Sequence, residues 1–363
     1  MNHEAKYIYR FGSNMLEGDE SMRALLGGKG AALAEMTRLL IPVPPGFTIG
    51  TNVCRYYLEH GTLPSGCENE LAEAMRWLEA QVGKTFNDAE SPLLVSVRSG
   101  AVISMPGMMD TVLNVGLSRD GVLGLAGQSG SRRFALDSYR RLLQMFGVTV
   151  LHAEKKEFDR VIDAAREREA VTSDSELSTK ALEEIVIGMS EVVERCTGKA
   201  FPADADEQLS LAIRAVFKSW SSNRAICYRR LNAIPYNLGT AVTVQAMVFG
   251  NAGADSGSGV GFTRNPSTGD SELFGEFLAN AQGEDVVAGT RTPFSIAMLS
   301  EKMPEIYQDL LGIVRRLERH YRDAQDFEFT VEKGRLYLLQ TRCAKRSALA
   351  ALRIAVDLSL IHI

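Results

Sequence analysis

Near the end of the chain the sequence reads DFEFTVEKGRLYLLQTR (residues 326–342). Apolar residues recur at every second position on both sides of Lys333-Gly334, which is the period of a strand and not of a helix. This segment therefore commits the chain to an antiparallel hairpin. A three-residue turn at Glu332, Lys333 and Gly334, with glycine in the left-handed position, sets Asp326 opposite Gln340 and Phe329 opposite Tyr337. Alternation then puts Asp326, Glu328, Gln340 and Arg342 on one face, with Phe327, Phe329, Tyr337 and Leu339 on the other. The second face is an aromatic layer that must pack. The first offers two carboxylates, an amide oxygen and a guanidinium, and oxygen donors beside phosphates suit Mg2+. The plainer alternative is a solvated outer sheet face.

A second segment points to an anion. Leu93 to Val97 reads as a buried strand that delivers Arg98 into a loop containing Ser99, Gly100, Ser104, Pro106, Gly107 and a run of methionines. Small, flexible residues allow backbone to approach an anion closely, and a rigid strand end supplies the cation. In LLGGKGAAL a helix is expected to start near Lys29, where free N–H groups and a lysine favour negative charge. The alternative there is an exposed lysine at a glycine-rich helix entry. Gln245, Met247 and Val248 lie in an apolar strand, GTAVTVQAMVFG, whose backbone edge could hold adenine or could simply be core.

Two nucleotide fingerprints are excluded. Gly28-Lys29 has Arg23 where a Walker loop needs glycine, and Gly30 where it needs Ser or Thr. Gly257, Gly259 and Gly261 are followed by Phe262, so GxGxxG is not met. His3, His60, His152, His320 and His362 show no metal-ligand spacing and are read as structural or exposed.

The layout expected along the chain is an N-terminal α/β part over 1–115 and a mostly helical part over 116–230. A β-rich part follows over 231–346, then the start of a helical linker at 347–363. Within it, residues 116–134 read as a Gly/Ser-rich connector, and Pro304 to Tyr321 as a helix with proline in its first turn. A net charge of −5 implies no general attraction to nucleic acid or membranes. Five scattered cysteines with no CxxC pair, and no apolar run of membrane-spanning length, make the cytoplasm the expected compartment. The terminal string LSLIHI carries neither cap nor polar tail, and the expectation is a sequence truncated near Asp357 with non-native last residues.

The strings SMRALLGGKGAALAEM, PLLVSVRSGA, SMPGMMDTVLN, DSYRRLLQMFG, NRAICYRRLN, GTAVTVQAMVFGN, GFTRNPSTG, NAQGEDVVAGTRTP and DFEFT…LYLLQTR occur in this order. Together they resemble the N-terminal nucleotide-binding domain of the pyruvate phosphate dikinases, over about residues 6–357. The loop SMPGMMDT separates the chain from phosphoenolpyruvate synthases. The resemblance implies an ATP-grasp-like α/β (α+β) fold with a helical subdomain, its subdomains clamping ATP. Lys29, Arg98 and Arg342 would be the catalytic cations on the phosphates, with Gly107 and Thr111 in the phosphate loop. Glu328 and Gln340 would bind Mg2+ with Asp326 nearby, and Gln245, Met247 and Val248 would line the adenine pocket.

The implied reaction interconverts ATP, phosphate and pyruvate with AMP, pyrophosphate and phosphoenolpyruvate. A phosphohistidine swivel domain and a pyruvate-binding barrel are the implied partners, in a full-length enzyme that forms a homodimer. Val102-Ile103 stands in place of Arg-Ala, Tyr236-Asn237-Leu238 in place of Gly-Asp-Trp, and Cys343-Ala344 in place of Asn-Gly. The first of these removes a cation beside the phosphate loop. Two other readings stay open: a nucleotide-binding module without phosphoryl transfer, and a dikinase that uses water as second acceptor.

Overall fold

The computed structural model describes residues 6–13, 15–289 and 291–361. His3, His362 and the last two residues of LSLIHI lie outside these. The chain is mixed α/β and its residues cluster into two compact units. The first holds Met1–Phe11, Ser21–Ala31 and Pro45–Met247, and the second holds Gly12–Glu20, Ala32–Pro44 and Val248–Ile363.

In the first unit five antiparallel strands lie in the order β1-β2-β5-β3-β4. They are β1 (Ile8–Gly12), β2 (Gly46–Ile49), β3 (Val95–Ala101), β4 (Thr111–Val115) and β5 (Thr240–Ala246). The sequence expected 240–246 to belong with the later β-rich part. Instead these residues pair with β2 on one side and β3 on the other, because all seven are buried and need partners at both edges.

Helix α1 (Arg23–Arg38) is broken at Gly27, which sits at φ 66. The α2 (Thr51–His60) and α3 (Cys67–Val82) helices follow. Then come α4 (Gly121–Ser129), α5 (Arg132–Thr149), α6 (Lys155–Glu169), α7 (Thr179–Thr197), α8 (Ala205–Ser219) and α9 (Asn223–Leu231). α5 and α7 face each other through apolar stripes that include Leu142, Phe146, Leu182, Ile185 and Met189. α8 lies against β3, β4 and β5, so these helices cluster with the sheet rather than apart from it. α4 occupies the expected connector. Its glycine content suggested a loop, but Val122 and Leu125 are buried and Gly124 lets the helix approach backbone at 2.1 Å from Ala89 O, measured from where a Cβ would stand.

The second unit is built on an antiparallel sheet in the order β10-β9-β6-β7-β8. Its strands are β6 (Gly257–Phe262), β7 (Phe274–Ala279), β8 (Phe294–Ser295), β9 (Gln325–Glu332) and β10 (Arg335–Cys343). Its helices are α10 (Gly283–Ala288), α11 (Leu299–Lys302), α12 (Pro304–Tyr321) and α13 (Ala348–Ile361). α12 has the expected bounds, with proline at its first position and a buried stripe of Ile306, Leu310, Ile313 and Leu317. Arg264 is 2% exposed and bonds Glu318 twice (2.9 and 2.7 Å) and Asp357 once (2.9 Å), so one buried cation ties α12 and α13 together.

Gly257, Gly259 and Gly261 also find their reason here. A Cβ on them would stand 2.2, 2.5 and 2.7 Å from the rings of Phe277, Phe329 and Phe327. They make room for an aromatic layer and not for a dinucleotide. Phe277 and Phe329 stack at 5.9 Å.

Candidate functional site

The first unit gathers its candidates on one sheet face. Thr48 of β2 stands opposite Thr243 of β5, Thr243 opposite Arg98 of β3, and Arg98 opposite Thr111 of β4. Residues directly opposite one another share a face, so these four side chains form a single polar row. Gln245, two residues beyond Thr243 and 1% exposed, lies on the same face. The hydroxyls of Thr48 and Thr243 are buried and meet no hydrogen-bond partner among the described residues.

Arg98 sits inside its strand, which corrects the expectation that it marks the strand end. β3 runs on to Ala101 because β5 pairs with it as far as Thr240.

Lys29 is brought over this face by glycines. A Cβ on Gly27 would stand 1.7 Å from Gly100 O, and one on Gly30 would stand 2.7 Å from the Thr48 side chain. Only glycine allows that approach, and the positive φ at Gly27 restarts the helix immediately before Lys29. The Lys29 Cβ lies 3.7 Å from the place of a Gly100 Cβ, and Gly100 shares the face of Arg98. Lys29, Arg98, Thr111 and Gln245 are thus brought together. Gly107 is at φ 71 in the loop 102–110, with open space around it. The Arg23 Nε–H donates to Val102 O at 3.4 Å, a contact the sequence reading did not find. The expected adenine edge is shorter than the sequence suggested: β5 ends at Ala246, the Met247 N–H donates to Leu94 O at 2.9 Å, and Val248 lies beyond the strand.

The second unit gathers the hairpin residues, by a register other than the one expected. The turn has two residues: Glu332 stands opposite Arg335, with Lys333 at φ 47 and Gly334 at φ 71. Both central residues are left-handed, the signature of a type I′ turn. Phe329 faces Leu338 and not Tyr337, whereas Glu328 faces Gln340 and Asp326 faces Arg342. Leu339 is therefore the extra residue of a β-bulge.

Leu336 and Leu338, not Tyr337 and Leu339, join Phe327, Phe329 and Val331 in the core. The bulge shifts the alternation by one, and that returns Gln340 and Arg342 to the face of Asp326 and Glu328. The four expected residues do share a face, through a turn and a bulge whose effects offset.

Arg342 Nε–H donates to Asp326 Oδ2 at 2.7 Å. Burial pushes the Asp326 carboxyl above its ordinary value against the opposing pull of Arg342, and Glu328 adds to the rise. Among the described residues no group of three or more His, Cys, Asp or Glu is arranged to hold a metal ion by itself. His60 stacks on Tyr56, and the Nε2 of His320 lies 2.9 Å from Glu35 Oε1.

The family model described as pyruvate phosphate dikinase, AMP/ATP-binding domain, matches residues 23–75, 59–309 and 296–357. A pyruvate, phosphate dikinase from Clostridium symbiosum is 51% identical over 356 residues, covering 98% of this chain and 40% of that protein. A chloroplastic relative of the same name from Mesembryanthemum crystallinum is 51% identical over 97% of this chain and 37% of its own length. One from Rhizobium meliloti (strain 1021) is 50% identical over 98% of this chain and 41% of its own length. The chain spans about two fifths of the length of these relatives. With its polar sheet face, its glycine-seated lysine and its acid-and-amide hairpin in place, the chain belongs to the pyruvate phosphate dikinase AMP/ATP-binding domain family.

Proposed function

We propose that this chain binds ATP with Mg2+ and serves the ATP half-reaction of a pyruvate, phosphate dikinase, passing phosphoryl groups to a carrier histidine outside residues 6–361. The observation that carries this reading is the seating of Lys29 and Arg98 on one sheet face at a restarted helix. A helix end and two cations there favour phosphate. Thr111 and Thr243 add hydroxyls to the same row, and Gln245 adds an amide. Met247 and Val248 would supply the apolar surface for adenine.

The hairpin fits Mg2+ by its donor chemistry. Glu328 and Gln340 present a carboxylate and an amide oxygen directly across from each other. Asp326 beside them is already held by Arg342. Mg2+ usually takes only one or two carboxylates and fills its sphere with phosphate oxygens and water, so a complete protein cage is not required. Glu328 and Gln340 would hold the ion, and Arg342 would meet a phosphate oxygen. The ion, when bound, neutralises charge on the transferring phosphoryl group. Positioning and charge neutralisation are most of what such a transfer asks of a protein.

The relatives' names pair pyruvate with phosphate, and phosphate is the second acceptor in this reading. The four-part division of the chain, apart from Thr240–Ala246, which pair within the first sheet, the dimeric state of a longer enzyme and a cytoplasmic setting belong to the same proposal. In support of the last, five cysteines stand free and no helix among the described residues is long and apolar enough to cross a membrane. Calorimetric titration of ATP into the chain, with and without Mg2+, tests the site. Metal-dependent binding is expected; a folded sample that takes up no ATP overturns the reading.

A further inference from the structure

Residues 102–110 join β3 to β4 and rise from the paired Arg98 and Thr111. At the tip, the Met108 N–H donates to Met105 O at 3.1 Å around Pro106 and Gly107. Proline followed by a glycine at φ 71 makes this a type II turn. The tip is open, but both flanks are held by the start of α9. Met105 is 7% exposed in a cluster with Trp220, Ala225 and Ile234, and Met108 and Met109 pack against it. On the far flank, the Asp110 carboxylate accepts a hydrogen bond from the Arg224 guanidinium, one residue before Ala225.

The support under this cluster is rigid. Trp220 Nε1–H donates to Tyr236 O at 3.0 Å, and Trp220 O accepts from Arg229 Nη1–H at 2.6 Å. The Arg229 guanidinium also lies 4.1 Å from the Trp220 ring and 5.3 Å from the Tyr236 ring, a cation held between two aromatic faces.

We infer that Arg224 and Asp110 are a positioning pair: they fix the loop 102–110 against α9 so that its backbone N–H groups are already ordered when the phosphates of ATP arrive. The inference rests on the ATP-binding reading above. A half-exposed ion pair contributes little to global stability, and the Arg224 side chain is 55% exposed. The pair acts locally instead. A loop released at one flank must be ordered by the ligand, and that ordering is subtracted from affinity. The loss falls on the phosphate tail, because the loop rises from Arg98 and Thr111 and not from the expected adenine edge.

The test uses the full chain with Arg224→Gln, Asp110→Asn, the conservative Arg224→Lys, and the exchanged pair Arg224→Asp with Asp110→Arg. Thermal melts check folding, and calorimetry measures ATP with Mg2+ and AMP separately. Each neutral variant is expected to weaken ATP roughly tenfold with AMP affinity and melting unchanged. Arg224→Lys or the exchanged pair is expected to recover most of that loss. Unchanged ATP affinity in the neutral variants, or a parallel loss of AMP, overturns the inference, as does recovery by neither restoring variant. Absence of ATP binding in the unmutated chain overturns the underlying reading, and the pair with it.

Discussion

Glu328 stands directly opposite Gln340 because the strand register shifts by one residue between Glu328 and Phe329, where Leu339 is the extra residue of a β-bulge. With a two-residue turn and no bulge, Gln340 and Arg342 would point into the aromatic layer. That one-residue shift puts Gln340 and Arg342 on the face of Asp326 and Glu328. Deleting Leu339 is expected to leave a regular ladder with Gln340 still opposite Glu328, so Mg2+-dependent ATP binding is expected to survive it. Glu328→Ala is expected to abolish that binding with the melting temperature unchanged. Calorimetry with and without Mg2+ checks both, and unchanged metal-dependent affinity in Glu328→Ala removes the hairpin from the site.

Lys29 is half-buried over the face that carries Arg98. Lys29→Met keeps the length of the side chain and removes its charge. A charged hydrogen bond contributes about 1.5–3 kcal/mol, which is roughly a ten- to hundredfold loss of ATP affinity. AMP, which lacks the outer phosphates, is expected to lose much less. Equal losses for the two nucleotides would place Lys29 away from those phosphates.

Gly27 is the point at which the first unit permits least change. A Cβ there overlaps Gly100 O, and the φ of 66 is one that L residues rarely adopt. Gly27→Ala is expected to destabilise the chain by roughly 2–4 kcal/mol. Urea unfolding measures this directly, as a lower midpoint at unchanged slope. A midpoint equal to that of the parent chain would show that the close approach is not required.

Asp137 is buried on α5, where Arg140 (2.6 and 3.0 Å) and Arg141 (2.9 Å) bond its carboxylate. Burial alone would raise its pKa; the two arginines outweigh that and hold it below the ordinary carboxylate range. A folded-state pKa below the unfolded one contributes stability that is present above about pH 4 and lost as pH falls toward the folded value. Stability measured against pH is expected to drop below pH ~4, and Asp137→Asn to flatten that drop. The same variant is expected to cost roughly 3 kcal/mol at neutral pH, because it leaves the buried Arg140 with only its longer contact to Asp174 (3.4 Å). An acid limb as steep in the variant as in the parent would assign the sensitivity to other carboxylates.

Much of this was legible in the sequence. The alternation around Lys333-Gly334 required a hairpin, Pro304 marked a helix start, and the pair of glycines before Lys29 marked another. The hairpin register was not legible. Glu332-Lys333-Gly334 and Lys333-Gly334 both satisfy the local turn rules, and nothing local requires Leu339 to be skipped. That choice is made by β6, whose glycines receive the Phe327 and Phe329 rings and so fix which residues point inward. The helix at Gly121–Ser129 was hidden for a related reason: glycine weakens helix propensity, and only the backbone lying against Gly124 explains its use.

The sequence by itself determined which segments alternate, where helices begin, and which side chains carry charge, since period, capping and polarity act over a few residues. Tertiary structure decided that Thr240–Ala246 would join the first sheet, that Thr48, Thr243, Arg98 and Thr111 would form one row, and that the start of α9 would hold the loop beside them. Those outcomes depend on which buried strand edges and apolar faces find partners far away in sequence, and no local pattern encodes that pairing.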